Sequence, residues 1–304
     1  MIQCAGICDE KRNGVNYLLL LLSVVSETVK NAYTNHFSKR IAKTNADTYL
    51  FNAVLSLGGV LFFLFTREPF AISRFSAVVA LIFAVVTIFA QVFLTLAMGC
   101  GPMSFSILFT YLGTMIIPTV YGMLFLDQTP SVTQLVGFAL MLVSVGLSVD
   151  LKQKGEHAMS MKWLLLTLGG FIMWGLVGVC QQIHQSSDYA GEINAFLLWS
   201  FVMMAAILLV FFAVCKKRGE VQNYHVKSKD SVFVLLSGVA TGAINLINLF
   251  LAGVMPGIIF FPIVSGGVII LSGMAAIVVF KEWLDKKQVA GVVIGVISVI
   301  LLGI

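Results

Sequence analysis

Laid against itself at a spacing of 154 residues, the chain repeats without a gap from Gly99 onward. Gly99 answers Gly253, Pro102 answers Pro256, Gly113 answers Gly267, Gln134 answers Gln288, Gly137 answers Gly291 and Ser144 answers Ser298. A repeat constrains the fold more than any single residue does, because each copy must pack its neighbours in the same way. The repeated material is apolar. Ten runs, roughly 17–38, 48–66, 75–98, 103–126, 131–149, 163–185, 192–215, 231–252, 257–280 and 286–304, follow one another with short breaks. Each has the length of a helix that crosses about 30 Å of hydrocarbon. At 59% hydrophobic and 11% charged residues, the chain keeps too little polar sequence for a separate soluble domain.

The polar stretch from Asp150 to Lys162 divides the chain into residues 1–155 and 156–304, with five runs on each side. An odd number of crossings per copy turns the second copy upside down relative to the first. The expected fold is therefore an all-α integral membrane protein of ten transmembrane helices, arranged as two inverted five-helix repeats. Folds of that kind hold a solute between their halves near the bilayer midplane, so solute transport is the expected class of function. Small residues at four-residue spacing, Gly238 with Gly242, Gly253 with Gly257 and Gly291 with Gly295, mark expected close helix contacts.

The net charge of +5 does not point to nucleic acid, because Lys and Arg lie at the ends of the apolar runs. One set of loops carries Lys39, Arg40, Lys43, Lys152, Lys154, Lys162, Lys216, Lys217, Arg218, Lys227, Lys229, Lys281, Lys286 and Lys287; the other carries Lys11, Arg12, Arg67 and Arg74. The positive-inside bias then puts both termini outside. Cys4, Cys8, Cys100, Cys180 and Cys215 are dispersed and make no metal-ligand pattern. The first apolar run lacks a small-residue cleavage site and is expected to be retained. No nucleophile elbow, P-loop, zinc-protease or haem-attachment motif occurs, so neither an enzyme nor a cofactor is expected. Without a nucleotide-binding domain, the expected driving force is a gradient of an ion or of the solute itself.

The segment from Gly101-Pro102 to Asp150 and its partner from Met255-Pro256 to Ile304 share one layout. A Gly/Met-Pro step opens a long apolar helix, a polar turn follows, and Gln-x-x-Gly opens a Gly-rich last helix. The second turn reads Lys281-Glu282-Trp283-Leu284 before Gln288-Val289-Ala290-Gly291; the first reads Asp127-Gln128-Thr129-Pro130 before Gln134-Leu135-Val136-Gly137. This layout resembles the drug/metabolite transporter superfamily, in particular its ten-helix EamA-like family. In the first copy Gln128 stands where the family usually has Glu, and Pro130 where an apolar residue is usual. The resemblance implies a pseudosymmetric bundle with a central cavity and alternating access, and termini in the cytoplasm, opposite to the charge bias. It implies export of a small polar or amphipathic metabolite across a prokaryotic plasma (inner) membrane, by a monomer or homodimer in contact with lipid. Import or exchange of an anionic metabolite is the alternative within transport; a lipid-modifying enzyme or a non-transporting accessory protein is the alternative outside it.

The first run is the polar outlier. Ser23, Glu27, Lys30, Asn31, Thr34, Asn35 and Ser38 recur at spacings of three and four, which lines them along one helix face. A carboxylate or ammonium at the centre of a span costs roughly 2.5–3.5 kcal/mol, so such groups face the bundle interior or water. Glu27 and Lys30 stand one turn apart. Either they neutralise each other, or Glu27 exchanges a proton or meets a cationic solute while Lys30 steers an anionic group. The sixth run carries Trp174, Gln181, Gln182, His184 and Gln185, and a spacing of 146 sets Asn35 and His36 opposite Gln181 and Gln182. The lone His184 reads best as an interfacial hydrogen-bonding group. Gln91 and Asn245 are repeat mates with Asn248 one turn on, and Tyr111 is the mate of Ser265, with Thr110 and Thr114 nearby. Such amides serve either as glue between helices or as cavity lining. The candidate binding and coupling residues are Glu27, Lys30, Asn31, Gln91, Tyr111 and Asn245, with a small-molecule solute and a proton or other ion as candidate partners.

Overall fold

The computed structural model describes residues 14–30, 45–66, 68–100, 103–148, 161–219, 228–280 and 286–304. Among them are ten α-helices and no strand. They are α1 (14–30), α2 (Asn45–Phe65), α3 (Arg74–Cys100), α4 (Met103–Phe125), α5 (Val132–Ser148), α6 (Met161–Gln185), α7 (Ile193–Lys217), α8 (Ser228–Val254), α9 (Gly257–Phe280) and α10 (Lys286–Leu302), with a 3-10 turn at Ala190–Glu192 before α7. Asn31, Asn35, His36, the Gly101-Pro102 step and the Lys281–Leu284 turn lie outside the described residues.

On the described residues, five helices have the length and apolarity of a membrane crossing: Ala46–Phe65, Arg74–Leu94, Met161–Gln185, Ala190–Lys217 and Val232–Val254. Shorter apolar stretches occupy Phe109–Phe125, Val132–Leu147, Gly257–Leu271 and Val289–Leu302. At 17 residues each, α5 and α10 stand at the lower limit for spanning. The outer surface is apolar too: on α1, Leu18, Leu21, Leu22, Val25 and Val29 are exposed, while Leu20, Ser23 and Val24 are buried. A helix apolar on both its inner and outer faces belongs in lipid.

Helix starts follow capping chemistry. Ser131 and Gln134 form a capping box at the start of α5: the Ser131 amide donates to Gln134 Oε1 at 3.1 Å and the Gln134 amide to Ser131 Oγ at 3.2 Å. Ser73 caps α3 by accepting the Ser76 amide at 3.1 Å.

The most extensive packing joins early helices to late ones: α5 with α10, α4 and α3 with α6, and α2 with α7 and α8. Glycines set the close approaches. A Cβ at Gly238 would lie 2.8 Å from the Gly58 Cα, so α2 and α8 meet backbone to backbone. Between α5 and α10 the contact is reciprocal. Ser144 Oγ donates to the Gly291 carbonyl at 2.7 Å, and Ser298 Oγ donates to the Gly137 carbonyl at 2.6 Å. As one partner's number rises the other's falls, so these two helices run antiparallel. Among the described residues the two larger apolar cores lie around Leu20, Met115, Met141 and Phe260 and around Phe63, Phe83, Phe196 and Leu249, and a small third joins Phe51, Leu55 and Val234.

Candidate functional site

On α1, Lys30 Nζ donates to Glu27 Oε1 at 2.7 Å, and each side chain is 20% exposed. Among the two readings open in the sequence, the structure has the pair formed. One turn earlier, the fully buried Ser23 hydroxyl donates to Asn248 Oδ1 on α8. Asn245, one turn from Asn248, donates from Nδ2 to the Thr241 carbonyl of its own helix at 2.9 Å. The bond across helices therefore falls to Asn248 rather than to Asn245. Gln91 on α3 and Tyr111 on α4 are partly buried and each has an interaction partner. Tyr111 packs against the core that holds Leu20 and Val24 of α1. Beside it, Thr114 and Ser265 share a hydrogen bond of 2.9 Å between α4 and α9. Asn31 lies outside the described residues.

On α1, Leu19, one turn before Ser23, lines a cleft of about 360 Å³ together with Gly191, Ile193, Asn194, Leu246, Ile247 and Phe250. Asn194 Oδ1 is buried and has no hydrogen-bond partner among the described residues. The lining is otherwise apolar, a surface suited to the hydrocarbon part of an amphipathic molecule.

A second polar cluster, not assembled by the sequence reading, lies where α3, α6 and α7 meet. Glu192 Oε2 accepts the Ser73 amide at 3.0 Å and the Ser73 hydroxyl at 2.9 Å. The Ser76 hydroxyl reaches His184 Nε2 at 3.3 Å. His184 is fully buried, its ring centroid 4.2 Å from that of Phe196, and its Nδ1 accepts Gln185 Nε2 at 3.2 Å. His184 thus hydrogen-bonds as expected, but from the interior. The partners are more than a hundred residues apart in sequence, so no local pattern signals them.

At the same end of the bundle, Gln128 Oε1 accepts the Gly257 amide at 2.9 Å and so caps α9 from the α4–α5 turn. Gln182 Nε2 donates to the Pro118 carbonyl at 3.0 Å. Trp199 Nε1 donates to the Phe70 carbonyl at 3.0 Å, which ties the start of α7 to the segment before α3. The turn at Asp127, where φ is 50°, directs Gln128 toward α9.

Long apolar helices in a single bundle, apolar outside and with polar rows inside, define an integral multi-pass membrane protein. Residues 161–304 match the model of the EamA-like transporter family, a family of the drug/metabolite transporter superfamily. Among solved structures, 28 chains match. One, a crystal structure described only as that of a protein, is similar with a TM-score of 0.71 over 95% of this chain and 96% of its own, at 12% identity; the likeness is one of fold. No curated protein matches the chain by sequence.

Proposed function

We propose that the chain is a gradient-driven secondary transporter that exports a small polar or amphipathic metabolite by alternating access. Two inverted repeats, residues 1–155 and 156–304, form its moving halves, and Glu27, Lys30, Asn31, Gln91, Tyr111 and Asn245 contribute to its binding or coupling centre. The observation that carries the reading is the exchange between α5 and α10. Ser144 and Ser298 are repeat mates, as are Gly137 and Gly291, and each serine bonds the other copy's glycine. A two-fold axis lying across two antiparallel helices produces that exchange, and an axis in the membrane plane is the mark of an inverted repeat. Gly113 and Gly267 support the same axis. They are repeat mates, and they pack on Phe171 of α6 and Val24 of α1, the corresponding helices of the two copies. Lys30 is engaged by Glu27, which favours a neutral or zwitterionic solute over an anion at that point.

Purified protein would be screened for ligand-induced thermal stabilisation with amino acids, amines, nucleotide sugars and phosphates. Flux would then be measured in proteoliposomes, with Glu27→Gln and Lys30→Ala alongside. A solute that binds the folded state raises the melting temperature by mass action. A hit that is transported, and is lost in either variant, supports the reading. Flux untouched by both variants would remove the α1 pair from the centre, and no flux for any solute would sink the transport assignment.

A further inference from the structure

Buried hydroxyls on the helices of this bundle follow one habit. Thr28, Ser56, Thr87, Ser200 and Thr241 each donate to the carbonyl four residues back, at 2.7–2.8 Å. Thr167 on α6 departs from it. The residue is 3% exposed, yet its Oγ1 bonds neither the Trp163 carbonyl nor any other group among the described residues. Two turns on, Trp174 Nε1 is also buried and unpartnered. A third such atom on this helix, Gln182 Oε1, belongs to an amide whose nitrogen already holds the Pro118 carbonyl. Polar groups shut into a native interior without a partner call for an explanation, and a guest is one.

Gly170 stands between Thr167 and Trp174, at spacings of three and four that put all three on one face of α6. The other glycines of this helix are tightly enclosed: a Cβ on Gly169, Gly175 or Gly178 would lie within 2.9 Å of a neighbour. Gly170 is buried too, but a carbon added there meets nothing nearer than 3.9 Å. The first atom reached is Thr110 Oγ1 of α4, followed by Leu94 and Phe93 of α3 at 4.0 Å. The seam where α6 packs on α3 and α4 therefore has room for one more heavy atom. An unfilled hydroxyl stands one turn to one side of that room, and an unfilled indole N–H one turn to the other. Helical side chains lean toward the start of their helix, which is the direction of Gly170 from Trp174.

We propose that this seam binds a neutral oxygen, the carbonyl or hydroxyl of the transported solute, held by Trp174 and Thr167 over Gly170. The proposal rests on the transport reading above and names the head group of its solute. An indole N–H only donates, so the guest must accept. The Thr167 hydroxyl gives a second bond to the same oxygen, or accepts from an N–H or O–H beside it. The guest must also be uncharged. α3 beyond Arg74, all of α4, and α6 from Trp163 to Ile183 contain no Asp, Glu, Lys, Arg or His, so an ion here would have no counter-charge. The site lies near the middle of α6, the depth at which folds of this kind hold their solutes. Both polar atoms are closed to solvent in this conformation, so the guest enters as α4 and α6 part.

The test uses the full chain in lipid nanodiscs with isotope-labelled tryptophan, read by NMR at the indole N–H. The probe is acetamide, with methylammonium as the counterpart that has donors and no acceptor. Loss of one resonance in Trp174→Phe assigns the Trp174 signal. Acetamide should shift that signal downfield and saturate; methylammonium should leave it in place. Thr167→Val, which keeps the shape and removes the hydroxyl, should weaken acetamide binding about five- to tenfold, the equivalent of one hydrogen bond. Gly170→Ala should abolish the shift by filling the space. Neither variant should melt earlier than the parent, because Thr167 has no bond to lose and the alanine methyl meets no clash. A Trp174 signal that acetamide does not move, or binding that survives Gly170→Ala, overturns the site. So does a Thr167→Val protein that melts earlier, since the hydroxyl would then have a structural partner. The flux screen reads the transport proposal separately. Acetamide bound at the seam of a protein that moves no solute sinks transport and leaves the site; flux of a solute that both variants leave unchanged sinks the site and leaves transport.

Discussion

Glu27 and Lys30 are each only a fifth exposed, so their bond is screened little by water and neither group can find another partner cheaply. Glu27→Gln should lower stability by about 1.5–3 kcal/mol, the range for hydrogen bonds to charged groups. Lys30→Met should cost a similar amount, and the double variant less than the sum, because it leaves no charge unpaired. A double-mutant cycle on thermal unfolding in detergent checks this, and additive losses would show that the two side chains do not depend on each other. Their pairing was legible as one of two readings, since spacing along a helix settles which groups can meet. What spacing could not settle was partnership between helices. Asn245 and Asn248 are indistinguishable by helical phase at the precision of a sequence, and only the placement of α1 against α8 gives Asn248 the bond to Ser23. Glu192 was missed for a related reason. It opens an apolar run and resembles an ordinary helix-end acid until Ser73 is brought to it from the far side of the chain.

Helix contacts were the most legible level. Gly238 and Gly242 were expected at a close contact, and they pack on Gly58 and Phe62 of α2. Gly238→Ala should destabilise by about 1–3 kcal/mol, because its methyl group meets backbone that cannot give way. Gly146→Ala on α5 is the control: nothing lies within 4 Å of its added carbon, and removing a helical glycine should gain about 0.5–1 kcal/mol. Opposite shifts in melting temperature are expected, and equal ones would deny the packing difference. The polar turn was legible as a pattern but not as a device. Gln128 proves to cap α9 in the other half, an acceptor placed on a positive helix end. Gln128→Glu keeps the acceptor and adds the matching charge, so a gain of about 0.3–1 kcal/mol is expected, whereas Gln128→Leu should lose the cap. A Glu variant that melts earlier than the Leu variant would contradict this assignment.

At the scale of the molecule, the helices could be read from apolar runs, while the interleaving of early helices with late ones could not. The most extensive helix pairs each take one member from either side of residue 155. Residues 1–155 expressed alone should therefore aggregate or be degraded, as should 156–304, while co-expression of the two should recover a monodisperse complex by size-exclusion chromatography. A half that is monodisperse by itself would show that the cross-pairs contribute little. The serine exchange on α5 and α10 carries one more consequence. Each side gives the bond it receives, which is how identical molecules meet across a dyad. Nothing in such a seam distinguishes self from mate. A lone α10, with Ser298 and Gly291 in reach of their own counterparts, has the chemistry to dimerise with its own copy. Fusion into one polypeptide raises the effective concentration of the intended partner and so decides the match by tethering.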